Sequence, residues 1–267
     1  MNTAIAQMAH ENGWSYEEAG DPPALGGTLW EQVSNGTARD KVVGDGWEAG
    51  TITGGSRSAT QVSRKGRLEV RRTVTVSAPK RSITLGYFAI TLPRRLPHMV
   101  LDATRNGRGM VTRPRAGQAL SLEGDFDSHF QLYAPNGYER DALYVFTPDL
   151  MALLIDEAGD LDVEIRDNQL IVYREGGFDL LDPRVRERFA QLRATIGALA
   201  WSQSDRYLDD RVPAPRLLRA GPADNEVGAG GQRLRRKLPK EALIGVWAAG
   251  GGLAVAAVTG LLLILLR

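Results

Sequence analysis

Between Ala242 and Leu266 the chain runs for 25 residues without one charge. As an α-helix rising 1.5 Å per residue, such a stretch spans about 37 Å, enough for a hydrocarbon core of about 30 Å. A soluble core helix rarely runs this far without a charged residue. The expectation is therefore a transmembrane helix over 242–266, with everything before it in water. Trp247 stands near its start, where interfacial aromatics gather.

The flanks give an orientation. Arg233, Arg235, Arg236, Lys237 and Lys240 precede the stretch, and only Arg267 follows it. The positive-inside rule places the basic side in the cytoplasm. The first eleven residues lack a charged segment followed by an apolar core, so no signal peptide is predicted. The expected protein is tail-anchored and single-pass in the cell (plasma) membrane, with a cytoplasmic N-terminal domain and the lipid bilayer as partner. Each of the five basic residues near the surface would also gain about 1 kcal/mol from anionic headgroups. Inside the helix, Ala248, Gly252, Ala256 and Gly260 recur every four residues. Small side chains on one face let two helices approach closely, which points to a homodimer or another protein partner in the bilayer.

Ahead of the apolar stretch lie about 240 residues, room for one domain with a linker. Net charge is +1, which gives no global electrostatic reason to expect nucleic acid. There is no cysteine, so disulfides, thiolate nucleophiles and thiolate metal sites are excluded. The organisation read from periodicity is a soluble domain over 1–210, a Pro/Gly-rich flexible linker over 211–241 ending in the basic cluster, and the helix over 242–266. The linker rests on Val212-Pro-Ala-Pro-Arg216 and on the Gly-rich run 220–232. As a coil of about 25 residues it would reach roughly 25–30 Å.

Within 1–210 the pattern is α+β: a mainly antiparallel sheet with helices packed on one face. Thr3–Glu11 reads as a short helix closed by Asn12-Gly13. Residues 47–103 read as strands, with Leu68–Val76 and Ile83–Leu92 as a hairpin, then a Pro-bracketed loop and a short strand at His98–Leu101. Asp125–Tyr133 reads as a strand. Thr147-Pro148 signals a helix start within a two-piece helical region over 139–157. Leu161–Ile165 and Gln169–Tyr173 read as a hairpin across 166–168. Asp182-Pro183 opens an amphipathic helix to about Ser202.

No chemistry is written plainly. His10, His98 and His129 are far apart and show no metal-ligand spacing. No G-x-S-x-G elbow, phosphate loop or calcium loop is present. Catalytic, cofactor and metal residues are accordingly assigned to none, and no cofactor is expected. The nearest thing to a cluster is Asp125-x-Asp127-x-His129, which would share one face if the segment is a strand. Arg64, Lys65, Arg67, Arg71 and Arg72 make a basic patch, read as the charged edge of a sheet.

Three stretches together, Leu92–Asp102, Leu122–Tyr133 and Tyr138–Leu154, resemble a family of uncharacterised membrane-associated proteins of high-GC Gram-positive bacteria. The resemblance covers roughly residues 85–200. It implies one domain and membrane association, and it assigns no activity or catalytic residue. The expectation is a protein- or lipid-binding module at the cytoplasmic membrane face. The alternatives are an enzyme working at Asp125, Asp127 and His129, and a scaffold self-associating through the small-residue helix face.

Overall fold

The first helix forms for local reasons. The Asn2 side chain accepts the Ile5 amide at 3.4 Å and caps α1 (Thr3–Glu11). Gly13, at φ +71°, ends it. Ile5, Met8 and Ala9 are buried, as the spacing predicts. The computed structural model describes residues 2–20, 37–54, 57–65, 68–76, 83–106, 117–122, 124–212 and 225–235, with backbone alone for 54, 57–65, 68–76 and 83. The expected helix over 242–266 and its small-residue face lie outside the described residues. Among those described, no helix is long and apolar enough to cross a membrane.

The strands are β1 (Ser15–Gly20), β2 (Thr37–Gly44), β3 (Trp47–Gly54), β4 (Arg57–Lys65), β5 (Leu68–Val76), β6 (Ile83–Ala103), β7 (Ala119–Leu120), β8 (Phe130–Tyr133) and β9 (Asp162–Glu175). All the pairings are antiparallel. The main sheet has the order β1-β2-β3-β6-β8-β7, with β9 along the other edge of β6. The helices after α1 are α2 (Phe126–His129), α3 (Glu139–Val145), α4 (Pro148–Ala158), α5 (Pro183–Leu192) and α6 (Ala198–Asp205). The class is α+β with a mainly antiparallel sheet.

Four expectations are corrected. β5 pairs with β4 as a separate two-stranded sheet, not with Ile83–Leu92. The Pro-bracketed loop is part of β6, a single strand of 21 residues. Proline cannot donate to a ladder. Pro93 and Pro97 fall between Ile90, where β3 ends its pairing, and Val100, where β8 begins. The 161–173 hairpin is one strand, β9, which follows β6 past the same irregularity. Asp167 sits there at φ +52°, opposite Leu96. Finally, the last helix is not continuous, because residues 193–197 widen into a π-helical turn. That turn seats Gly197 against Ile90, whose Cδ1 would lie 2.9 Å from a Cβ there.

The irregularity has a packing consequence. In β6, Phe88, Ile90 and Leu92 face the helices, and beyond the bend Met99, Leu101 and Ala103 do. In β9, Val163 and Ile165 give way to Leu170 and Val172. Both strands change parity together, as an inserted residue demands. The helix-side core also holds Ile5, Leu150, Leu154, Phe189, Ile196 and Ala200. The opposite face carries a second cluster with Ile52, Leu85, Tyr87, Ile171, Tyr173 and Leu234. The two-piece helix is as expected: Thr147 Oγ1 accepts the Leu150 amide at 3.4 Å and Pro148 opens α4. Asp182 likewise caps α5.

Candidate functional site

The Asp125, Asp127 and His129 row does not form. The strand expected over Asp125–Tyr133 begins only at Phe130, and residues 126–129 are a helical turn, α2. Asp127 takes the Leu122 amide at 3.0 Å and the Ser121 hydroxyl, which commits it to closing the turn. Asp125 lies 3.7 Å from His129 Nε2, and its side chain is 80 % exposed. The helical period puts Phe126 and Phe130 together in the core, with ring centroids 5.3 Å apart. A period-2 reading of the same residues also buries both, which is why the sequence pattern misled. Among the described residues no set of three or more His, Asp or Glu is placed to hold a metal ion.

Two other features stand out. The first is a cavity of about 110 Å³ on the helix side, partly open, between α1, β2, β3, β6 and α5. Trp14, Trp47, Phe88 and Phe189 line it with Met8, Val42 and Leu180. Trp14 meets Trp47 edge-on at 4.9 Å, and Phe88 stacks on Phe189 at 4.3 Å. Arg186 and Arg193 also line it. Phe189 falls at the apolar spacing of α5 and Trp14 directly after the Asn12-Gly13 stop, so in sequence both read simply as core residues.

The second is a strap, residues 225–235, lying on the domain within the segment read as linker. It supplies partners to β6 in the interval that neither β3 nor β8 covers. The Asn225 amide imitates a peptide group, accepting Arg95 N–H and donating to Arg95 C=O, both at 2.7 Å. His98 N–H donates to the Gly231 carbonyl at 2.9 Å. The Gln118 amide does for Arg235 what Asn225 does for Arg95, at 2.8 and 2.7 Å. Gly228 N–H donates to buried Asp209, which also accepts the Tyr138 hydroxyl at 2.8 Å. Arg233 makes a two-point contact with Asp167. Of the residues assigned to membrane topology, Arg233 and Arg235 thus belong to the strap. Arg236, Lys237 and Lys240 lie outside the described residues, as do Ala248, Gly252, Ala256 and Gly260. The basic patch of 64–72 falls on the β4–β5 hairpin, apart from Arg67, which lies outside the described residues.

Beneath the strap is a buried polar triad. The Leu234 amide donates to His98 Nδ1 at 2.9 Å, so the ring proton sits on Nε2 and is donated to Glu164 at 2.7 Å. The Tyr173 hydroxyl donates to the other Glu164 oxygen at 2.9 Å. His98 is 2 % exposed and Glu164 0 %. Burial first, and then the Glu164 charge, push the Tyr173 hydroxyl well above the usual phenol range, so it stays a donor. With both ring nitrogens of His98 engaged and the site closed, the triad is a clamp for the strap.

Glycine makes the close approach of the strap feasible. A Cβ on Gly231 would lie 2.4 Å from Tyr138 Cζ. Gly231→Ala is therefore expected to lift the strap, lowering stability by about 1–3 kcal/mol. Limited proteolysis of the full chain should then cut within 225–235, and a wild-type cutting pattern would refute this packing.

No protein-family model, curated protein or solved structure matches this chain. The resemblance noted over residues 85–200 accordingly rests on its three stretches alone.

Proposed function

We propose that the chain is a single-pass membrane protein spanning the bilayer with Ala242–Leu266, and that its α+β domain is a binding module on the cytoplasmic side of the cell membrane. The observation that carries this reading is the uncharged run Ala242–Leu266. The strap shortens what can act as a tether: Arg235, its last described residue, is bonded through both backbone groups to Gln118, which leaves six residues, 236–241, of about 20 Å at full extension before that run. Of the basic cluster, Arg233 is taken up by Asp167, and Arg235, Arg236, Lys237 and Lys240 set the side and meet anionic headgroups. Binding rather than catalysis is supported by Asp127 being tied up in its turn with Ser121 and Leu122, and by the closed His98–Glu164–Tyr173 triad. The Trp14–Trp47 cavity has a mostly apolar wall. Membrane association is also what the resemblance over 85–200 implies.

The test is protease accessibility of an N-terminal tag. Digestion in inverted membrane vesicles but not on intact cells is the expected result. Digestion on intact cells would reverse the orientation and move the domain outside. A second reading, self-association through Ala248, Gly252, Ala256 and Gly260, rests on their four-residue recurrence. It predicts that leucine at Gly252 and Gly260 abolishes dimers.

A further inference from the structure

The geometry points to a ligand site. The Trp14–Trp47 pocket takes a small apolar anion, a single ring or a short branched chain carrying one carboxylate. This deepens the binding reading above by naming its ligand class.

The size comes from the cavity. About 110 Å³ is somewhat less than the roughly 150 Å³ that admits benzene in an engineered apolar cavity, and the open side supplies the rest. Four aromatic rings in the wall suit a flat or branched apolar group. The charge comes from α5. Arg186 and Arg193 are seven residues apart and share the helix face that carries Phe189 and Ala190. Arg186 is held in place by its Nη1, which donates to the carbonyls of Leu180 and Leu181 at 2.9 and 2.8 Å. Arg193 is exposed and, among the described residues, has no ion-pair partner. The next arginine on the helix, Arg188, is by contrast bonded to Asp160. No acidic side chain is among the described residues that line the cavity. Both arginines line the cavity, and no carboxylate among the described lining residues neutralises them. A carboxylate between them would gain charge-assisted hydrogen bonds while its apolar end is buried.

The experiment uses the full chain in nanodiscs of zwitterionic lipid. Phenylacetate and 4-methylpentanoate are titrated against their uncharged amides, with binding read by tryptophan fluorescence and calorimetry. Saturable binding of the acids is expected, with a Kd in roughly the millimolar range or tighter. The amides should bind about tenfold or more weakly. Arg193→Gln, at an exposed position, should bring the acids down to the level of the amides. Ala190→Leu, also exposed, should plug the mouth and remove binding of both. Absence of saturable acid binding, equal binding of amides, or wild-type binding by Ala190→Leu would each overturn the assignment. Protease protection of the strap and the side of the N-terminal tag are read on the same chain. Failure of the ligand with both intact removes the ligand class and leaves the membrane reading standing.

Discussion

Glu164→Ala should cost about 3–5 kcal/mol, the range for removing one partner from a buried charged network. The carboxylate is fully buried and accepts from His98 Nε2 and the Tyr173 hydroxyl. Its loss strands both donors. It also removes a negative charge that acts on Arg166, whose Nη1 is already buried without a hydrogen-bond partner. Glu164→Gln should cost less. Its Oε1 can still accept from His98 Nε2–H while its NH2 donates to the Tyr173 hydroxyl oxygen, so only the hydroxyl proton loses its acceptor. Tyr173→Phe removes one hydrogen bond and should cost about 1 kcal/mol. Urea unfolding of the full chain in nanodiscs measures all three. The strap gives a separate readout: Glu164→Ala should become cleavable within 225–235, and Tyr173→Phe should not. A loss below about 1 kcal/mol in Glu164→Ala, or an uncut strap, would show that the triad does not hold the strap.

The contrast between what could and could not be read follows from the range over which each signal acts. Caps are local. Thr147-Pro148 and Asp182-Pro183 announce their helices because the side chain that accepts the first amides is two or three residues from them. Pairing is not local. Nothing within Leu68–Val76 says that its partner is β4 and not β6, and nothing near Asp167 says that the chain goes straight on instead of turning back. β1 and β2 were missed because a half-exposed edge strand such as Ser15–Gly20 carries little apolar alternation. The strap failed for a different reason. Gly228, Gly230 and Gly231 read as freedom, yet glycine serves a close approach equally well, and Tyr138 lies 90 residues or more away in sequence. The pocket was hidden because its walls come from α1, three strands and α5, and its arginines look like any solvated helix face.

Asp162→Asn should raise stability at neutral and alkaline pH, by an amount set by its environment. Burial pushes this carboxyl up. The Ala103 amide at 2.9 Å pulls it down, the Asp102 charge pushes it up again, and the Asn106 amide at 2.8 Å pulls it down. The balance leaves it at about 7, against an ordinary value of 3.8. Between those two values the folded chain holds a proton that the unfolded chain has released. Stability therefore falls as pH rises from about 4 to 7 and levels off above, the opposite of a salt-bridged aspartate. The displacement corresponds to at most about 4 kcal/mol, and the partial exposure of the group brings the expected gain to about 2–4 kcal/mol at pH 8. Asparagine retains the acceptor for both Ala103 and Asn106 and never ionises. Urea unfolding of wild type and Asp162→Asn at several pH values decides it. The two curves should nearly meet at pH 4 and diverge steadily to pH 7. Parallel curves would mean that the carboxyl titrates alike in both states, and a less stable variant at pH 8 would mean that the ionised form is the one the fold requires.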